Sequence, residues 1–221
     1  MGRVITGLKA QKKNRQRVNI YLDGEFAFGL SRFVAAWLRV GQELSQEKIE
    51  SLQAEDSREV AYQQALNFLS YRERSLAEVR TYLARQAVPE AAIEDIVTRL
   101  QVGNLVDDQR FARLWAENRA EFHPRSRRVI SLELKQKGVS SEDIDRAISQ
   151  VDDAVLAYQV ARKHAGKLTN LPWQEFRRKL FGYLSRRGFN YDTTAQTTSR
   201  VWAERESPPE DRILYNEEVD T

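Results

Sequence analysis

Cysteine is absent from the 221 residues, which excludes disulfides and thiolate chemistry in this chain. Only two histidines occur, His123 and His164, too few for most metal sites. No run of about 18 apolar residues is present, so no transmembrane helix is expected, and the first residues lack the apolar core of a signal peptide. There is no glycine-rich phosphate loop, no HExxH and no Ser/His/Asp signature. The adjacent acids Asp107-Asp108 and Asp152-Asp153 invite comparison with nucleases. Neighbouring residues on a helix do not face each other, however, so these pairs read as helix caps. No catalytic residue, metal or cofactor is therefore expected; these absences fit the cytoplasm, and a monomer is expected.

Charge is plentiful instead. Charged residues make up 30% of the chain and apolar residues 41%, with a formal net charge of +3. The apolar residues recur with a long period. Leu83-Ala-Arg-Gln-Ala-Val88 matches Leu134-Lys-Gln-Lys-Gly-Val139, which matches Leu184-Ser-Arg-Arg-Gly-Phe189, at offsets of 51 and 50 residues. Val79 travels with Ile130 and Leu180, and Leu100 with Val151 and Val201. Ile93 and Ile144 correspond to Thr194, and Val97 and Ile148 to Thr198, so the third copy is weaker there. Ala87 stands where the other copies have a helix-ending glycine. A short helical unit cannot bury its apolar side alone, so tandem stacking is the expected remedy.

The first copy is punctuated for three helices. Ala61, Ala65, Leu66 and Leu69 lie on one side of a helix from about Val60 to Leu69. Ser75-x-x-Glu78 is a capping box for the second, whose inward stripe is Leu76, Val79 and Leu83. Pro89 suits the first turn of the third, with Ile93, Ile96, Val97 and Leu100 facing inward. Gly103 is placed to end it in a left-handed conformation, and Asp107 to cap the next helix.

Residues 2–30 differ. Val4–Leu8, Val18–Leu22 and Glu25–Leu30 read as strands, with Asp23-Gly24 a hairpin turn. The connection Lys9–Arg17 carries Lys9, Lys12, Lys13, Arg15 and Arg17 and no acid. Such a loop is a solvated surface or a contact for phosphate or an acidic protein. From Ser31 a helix is expected with Phe33, Ala36, Trp37 and Val40 as its apolar stripe. A second begins at Ser45, and the polar stretch Gln53–Ser57 reads as a linker. The expected divisions are 1–57, 58–106, 107–152, 153–203 and an acidic, flexible tail at 204–221. From Ala203 onward that tail holds seven acids and two arginines, which could solubilise the chain or compete for its basic faces.

Those basic faces lie in the second and third copies. Pro124–Gly138 carries Arg125, Arg127, Arg128, Lys135 and Lys137 against Glu133, a net of +4. Trp173–Gly188 carries Arg177, Arg178, Lys179, Arg186 and Arg187 against Glu175, again +4, whereas Tyr71–Arg85 has only +2. At about 100° per residue, Arg125, Arg128 and Lys135 should face outward together. Together with Lys12 and Lys13, these ten cations are the candidate contacts for a polyanion or for an acidic groove on a protein filament. Most aromatics fall on apolar stripes and read as core; Tyr71, in a polar turn, is the exception.

Ser70-Tyr-Arg-Glu-Arg-Ser75, with Asp107-Asp108-x-Arg110-Phe111-Ala112 at this distance, resembles the RecX family of bacterial recombination regulators. The LARQAV and KQKGV helix ends extend the resemblance, which covers about Glu59 to Trp202. It implies a mainly α fold: three tandem three-helix repeats forming an elongated curved body, here preceded by a small β-hairpin/αβ module. It also implies a partner, the RecA–DNA filament. The body would lie in the filament groove and block strand exchange or coprotease action, slow ATP hydrolysis or promote disassembly, by occupancy alone. The residues by themselves leave open a helical-repeat protein binding single- or double-stranded DNA, or RNA, directly.

Overall fold

The computed structural model describes residues 2–206. The chain divides into two compact units, Met1–Val106 and Asp107–Thr221. In the first, β1 (Arg3–Ala10), β2 (Arg17–Leu22) and β3 (Glu25–Ser31) form an antiparallel sheet, extended by the short β4 (Glu43–Leu44) in the order β3-β2-β1-β4. Asp23 and Gly24 take φ of 52° and 93°, the paired left-handed geometry that a tight two-residue hairpin requires. One face buries Ile5, Ile20, Leu22, Phe28 and Leu30 against Val34, Leu38, Leu44, Ile49 and Leu52.

Two expectations fail here. The helix after Ser31 is a single turn, α1 (Arg32–Ala35), and it buries Val34 and Ala35. Phe33, Trp37 and Val40 are exposed, Trp37 by 87%. So short a helix has no periodicity to fix its face, and packing on the sheet core selects Val34 and Ala35 instead. The chain is held by tertiary bonds instead: Gly41, at φ 89°, donates its N–H to Ile5 O at 2.8 Å. The linker at 53–57 is also absent, for α2 runs unbroken from Gln46 to Leu69. Its polar residue Asp56 is buried and accepts from the Ser31 N–H and, at 2.9 Å, from Arg17 Nη2. A polar run that looks like a linker is thus the anchor of the helix on the sheet.

The C-terminal half of α2 packs with α3 (Leu76–Arg85) and α4 (Glu90–Val102) around Ala65, Val79, Leu83, Ile93, Val97 and Leu100. The Ser75/Glu78 capping box forms. Gly103 does not take the left-handed role: its φ is −76°, and Asn104 takes it at 53°. Asparagine tolerates that region better than other non-glycine residues.

The second unit holds α5 (Asp108–Glu121), α6 (Arg127–Gln136), α7 (Ser141–Ile148), α8 (Asp153–Ala165), α9 (Trp173–Ser185) and α10 (Tyr191–Glu206). Copies two and three share one core, from Phe111 through Ile130, Leu134, Phe176, Leu180 and Leu184 to Val201. Leu83, Leu134 and Leu184 are each fully buried, as are Val79, Ile130 and Leu180. Thr194 and Thr198 are buried too. Their hydroxyls donate to Phe189 O and Thr194 O at 3.4 and 2.7 Å, which offsets the cost of burying them. The expected tail lies outside the described residues from 207 onward. Its first members, Ala203–Glu206, instead complete α10, where Glu204 accepts from Tyr158 Oη at 2.8 Å.

Candidate functional site

The two basic stretches of the second unit meet. Ser126, fully buried, caps α6: its Oγ accepts from Val129 N, while its own N–H donates to Arg187 O at 3.1 Å. Arg125 Nη1 donates to Arg186 O at 3.3 Å. Gly188, at φ 87°, allows this approach, since a Cβ there would overlap Val129 Cγ2 and lie 2.6 Å from Ser126 Oγ. The N-terminus of α6 is therefore seated on the C-terminal end of α9. Arg125, Arg127 and Arg128 come from one copy and Arg186 and Arg187 from the next, and they form one cationic locality.

His164 senses that locality. Its ring stacks on Tyr183 at 3.6 Å. Burial first, and then the positive charges of Lys167, Arg187 and Arg186, push its pKa below the ordinary value. Lys167 and His164 are members that sequence spacing could not supply, because the end of α8 and the turn after it bring them from another part of the copy.

The candidate cations do not all stand free. Arg128, Lys135 and Arg127 are exposed on α6, as are Arg177, Arg178, Lys179 and Arg186 on and after α9. No ion pair among the described residues neutralises Arg128, Lys135, Arg177 or Arg178. Arg125 is half-buried and held by its bond to Arg186 O, so it does not project freely beside Arg128 and Lys135. Lys137 and Arg187, which are repeat-equivalent, are both half-buried over aromatic rings. Lys137 Nζ lies 5.1 Å from the Trp115 centroid, and the Arg187 guanidinium 4.0 Å from that of Tyr183. Their charges are engaged locally.

In the first unit Lys12 and Lys13 are exposed in the β1–β2 loop. Lys12 lines a concavity of about 540 Å³ together with Arg15 and Arg32, and no carboxylate lines it. Arg32 arrives from α1, a convergence that the loop sequence alone did not reveal. Arg17 is withdrawn by its pair with Asp56. Tyr71 is 83% exposed, and Phe122, 51 residues later, is 62% exposed. Each precedes a buried capping serine by four residues, so the exposed aromatic is a repeated feature that internal alignment could have shown. Among the described residues no group of three metal-ligating side chains occurs.

Comparison with known proteins gives a consistent result. The family model of the regulatory protein RecX N-terminal domain matches residues 3–45, and those of the first, second and third RecX three-helix domains match 61–100, 107–148 and 152–196. A regulatory protein RecX of Bacillus pumilus is 33% identical over 217 residues, spanning 96% of this chain and 82% of that one. One of Lactobacillus johnsonii is 33% identical over 194 residues, spanning 86% and 71%. A crystal structure of regulatory protein RecX superposes with a TM-score of 0.71 at 29% identity, covering 89% of this chain and 99% of the other. The N-terminal sheet, which the motifs left unassigned, is thus included with the three helical copies: the chain belongs to the RecX family of regulatory proteins.

Proposed function

We propose that this protein regulates homologous recombination by docking on a RecA–DNA filament and lowering its activity, without chemistry of its own. The observation that carries this is the junction of α6 and α9, where cations of two consecutive copies are merged by backbone contacts rather than scattered. A regularly repeated acidic surface, whether a protein groove or DNA phosphates, is the natural complement of such a locality. The basic concavity of Lys12, Arg15 and Arg32 offers a second contact of the same sign. Membership of a family of regulatory proteins agrees with control by occupancy.

The test is strand exchange and DNA-dependent ATP hydrolysis by purified RecA, with the full chain titrated in at moderate salt. Inhibition is expected at well below one molecule per RecA protomer. Arg128→Ala/Lys135→Ala removes two exposed charges and is expected to raise the half-inhibiting concentration about 3- to 30-fold, at roughly 0.3–1 kcal/mol for each lost ion pair. Its unfolding free energy should stay within about 0.5 kcal/mol of the parent's. Unchanged inhibition by the variant removes this face from the contact, and no inhibition by the parent removes the proposal.

A further inference from the structure

The third copy differs from the second in its middle helix. That helix, α9, has 13 residues where α6 has 10. The extra N-terminal turn brings in Trp173 and Gln174. With the rest of α9 they make two adjacent rows at i, i+4, i+8 spacing, which lie side by side on a helix. One row is Trp173, Arg177, Phe181. The other is Gln174, Arg178, Gly182. Both rows, with Tyr191 from the start of α10, line a cavity of about 390 Å³.

The chemistry of the lining is specific. Tyr191 is 65% exposed, and its ring stands edge-on to Phe181 at 5.3 Å and 62°. The opposite end is stiffened by Trp173 against Trp202, centroids 5.3 Å apart. Gly182 contributes no side chain to the lining. Arg177 and Arg178 have no carboxylate partner among the described residues, and no acid lines the cavity. Two unneutralised guanidinium groups call for an anion, and the aromatic walls call for something flat. Gln174 adds a donor and an acceptor of the kind that reads a base edge. The volume is near the lower end of the range for ligand pockets, about 300–1,000 Å³.

We propose that this cavity is a nucleotide subsite that takes one unpaired base and its flanking phosphate from single-stranded nucleic acid. The base stacks on Tyr191 at the Phe181 end, and the phosphate is held by Arg177 and Arg178. Duplex cannot use the site in this way, because its base faces are already covered by their neighbours. The subsite is independent of RecA docking, so it is tested with RecA absent.

The experiment measures fluorescence anisotropy of a labelled oligothymidylate of about 20 nucleotides against the full chain, with a duplex of equal length in parallel. Tyr191→Ala is expected to weaken single-strand binding about 5- to 150-fold, the loss typical of one stacking ring. Tyr191→Phe should hold affinity within about twofold. Arg177→Gln/Arg178→Gln should lower the slope of log K against log salt by about 0.7, one neutralised phosphate on a single strand, whereas Tyr191→Ala should leave that slope unchanged. Duplex affinity should not respond to Tyr191→Ala. The proposal is overturned if the parent does not bind the oligonucleotide, if Tyr191→Ala binds it as well as the parent, or if duplex binding falls in step. In each of those cases RecA inhibition remains separately measurable.

Discussion

Gly188→Ala tests whether the seat between α6 and α9 is built as described. Two costs add. At φ 87° an L-residue is disfavoured by about 1–2 kcal/mol, partly offset because alanine restricts the unfolded chain by about 0.4–1 kcal/mol. The new Cβ would also overlap Val129 Cγ2 and crowd the buried Ser126 Oγ at 2.6 Å, an overpacking cost of about 1–3 kcal/mol. The sum is a destabilisation of about 1–4.5 kcal/mol. Three of the four tryptophans, Trp115, Trp173 and Trp202, lie in the second unit. In a Trp37→Phe background, intrinsic fluorescence therefore reports that unit alone, and Trp37 is exposed enough to replace cheaply. Urea midpoints should fall by roughly 1–4.5 M, taking a denaturant dependence of about 1 kcal/mol/M, the low end of the usual range. Gly41→Ala is the comparator, followed by circular dichroism of the first unit. Gly41 has a similar φ of 89° but nothing within 4 Å of its added Cβ, so only the conformational cost of about 1 kcal/mol applies. If Gly188→Ala costs no more than Gly41→Ala, the close approach that joins the two basic stretches is wrong.

Ala87→Gly is the converse experiment. Ala87 already occupies the left-handed region at φ 58°, so glycine should stabilise the first unit by up to about 1 kcal/mol, and a loss would contradict the helix-end geometry. Leu83→Ala, at a fully buried position, should cost about 2–5 kcal/mol by thermal or urea unfolding, while Val102→Ala, 86% exposed, should stay within about 0.5 kcal/mol. His164 gives a pH signature. Because burial and neighbouring cations depress its folded pKa, the unfolded chain takes up the proton first as pH falls. Its stabilising contribution is then complete above about pH 6.5 and declines as pH drops below that value toward the folded pKa. His164→Gln should flatten the urea midpoint of the second unit between about pH 7 and 5.5, and identical slopes in the two proteins would refute the assignment.

The sequence by itself determined the helical copies. Long-range periodicity marks buried positions reliably where a helix is long enough to have a face, which is why Leu83, Leu134 and Leu184 could be placed in the core from their spacing. Caps such as Ser75/Glu78 and Asp107 were equally legible, because their bonds close within a few residues. Charge was countable too: the excess of arginine and lysine in two middle helices needs no coordinates. Tertiary structure decided the rest, wherever a distant partner outweighs local preference. Asp56 turned an apparent linker into helix by binding Arg17 and Ser31 from the sheet. One-turn α1 took its face from the β-sheet core and not from its own pattern. Which cations remain available was likewise a matter of contacts. Arg187 and Lys137 settle on aromatic rings, Arg125 is tied to the end of α9, and Arg32 joins Lys12. A residue's charge is written in its identity, but whether that charge is spent at home depends on neighbours that only folding supplies.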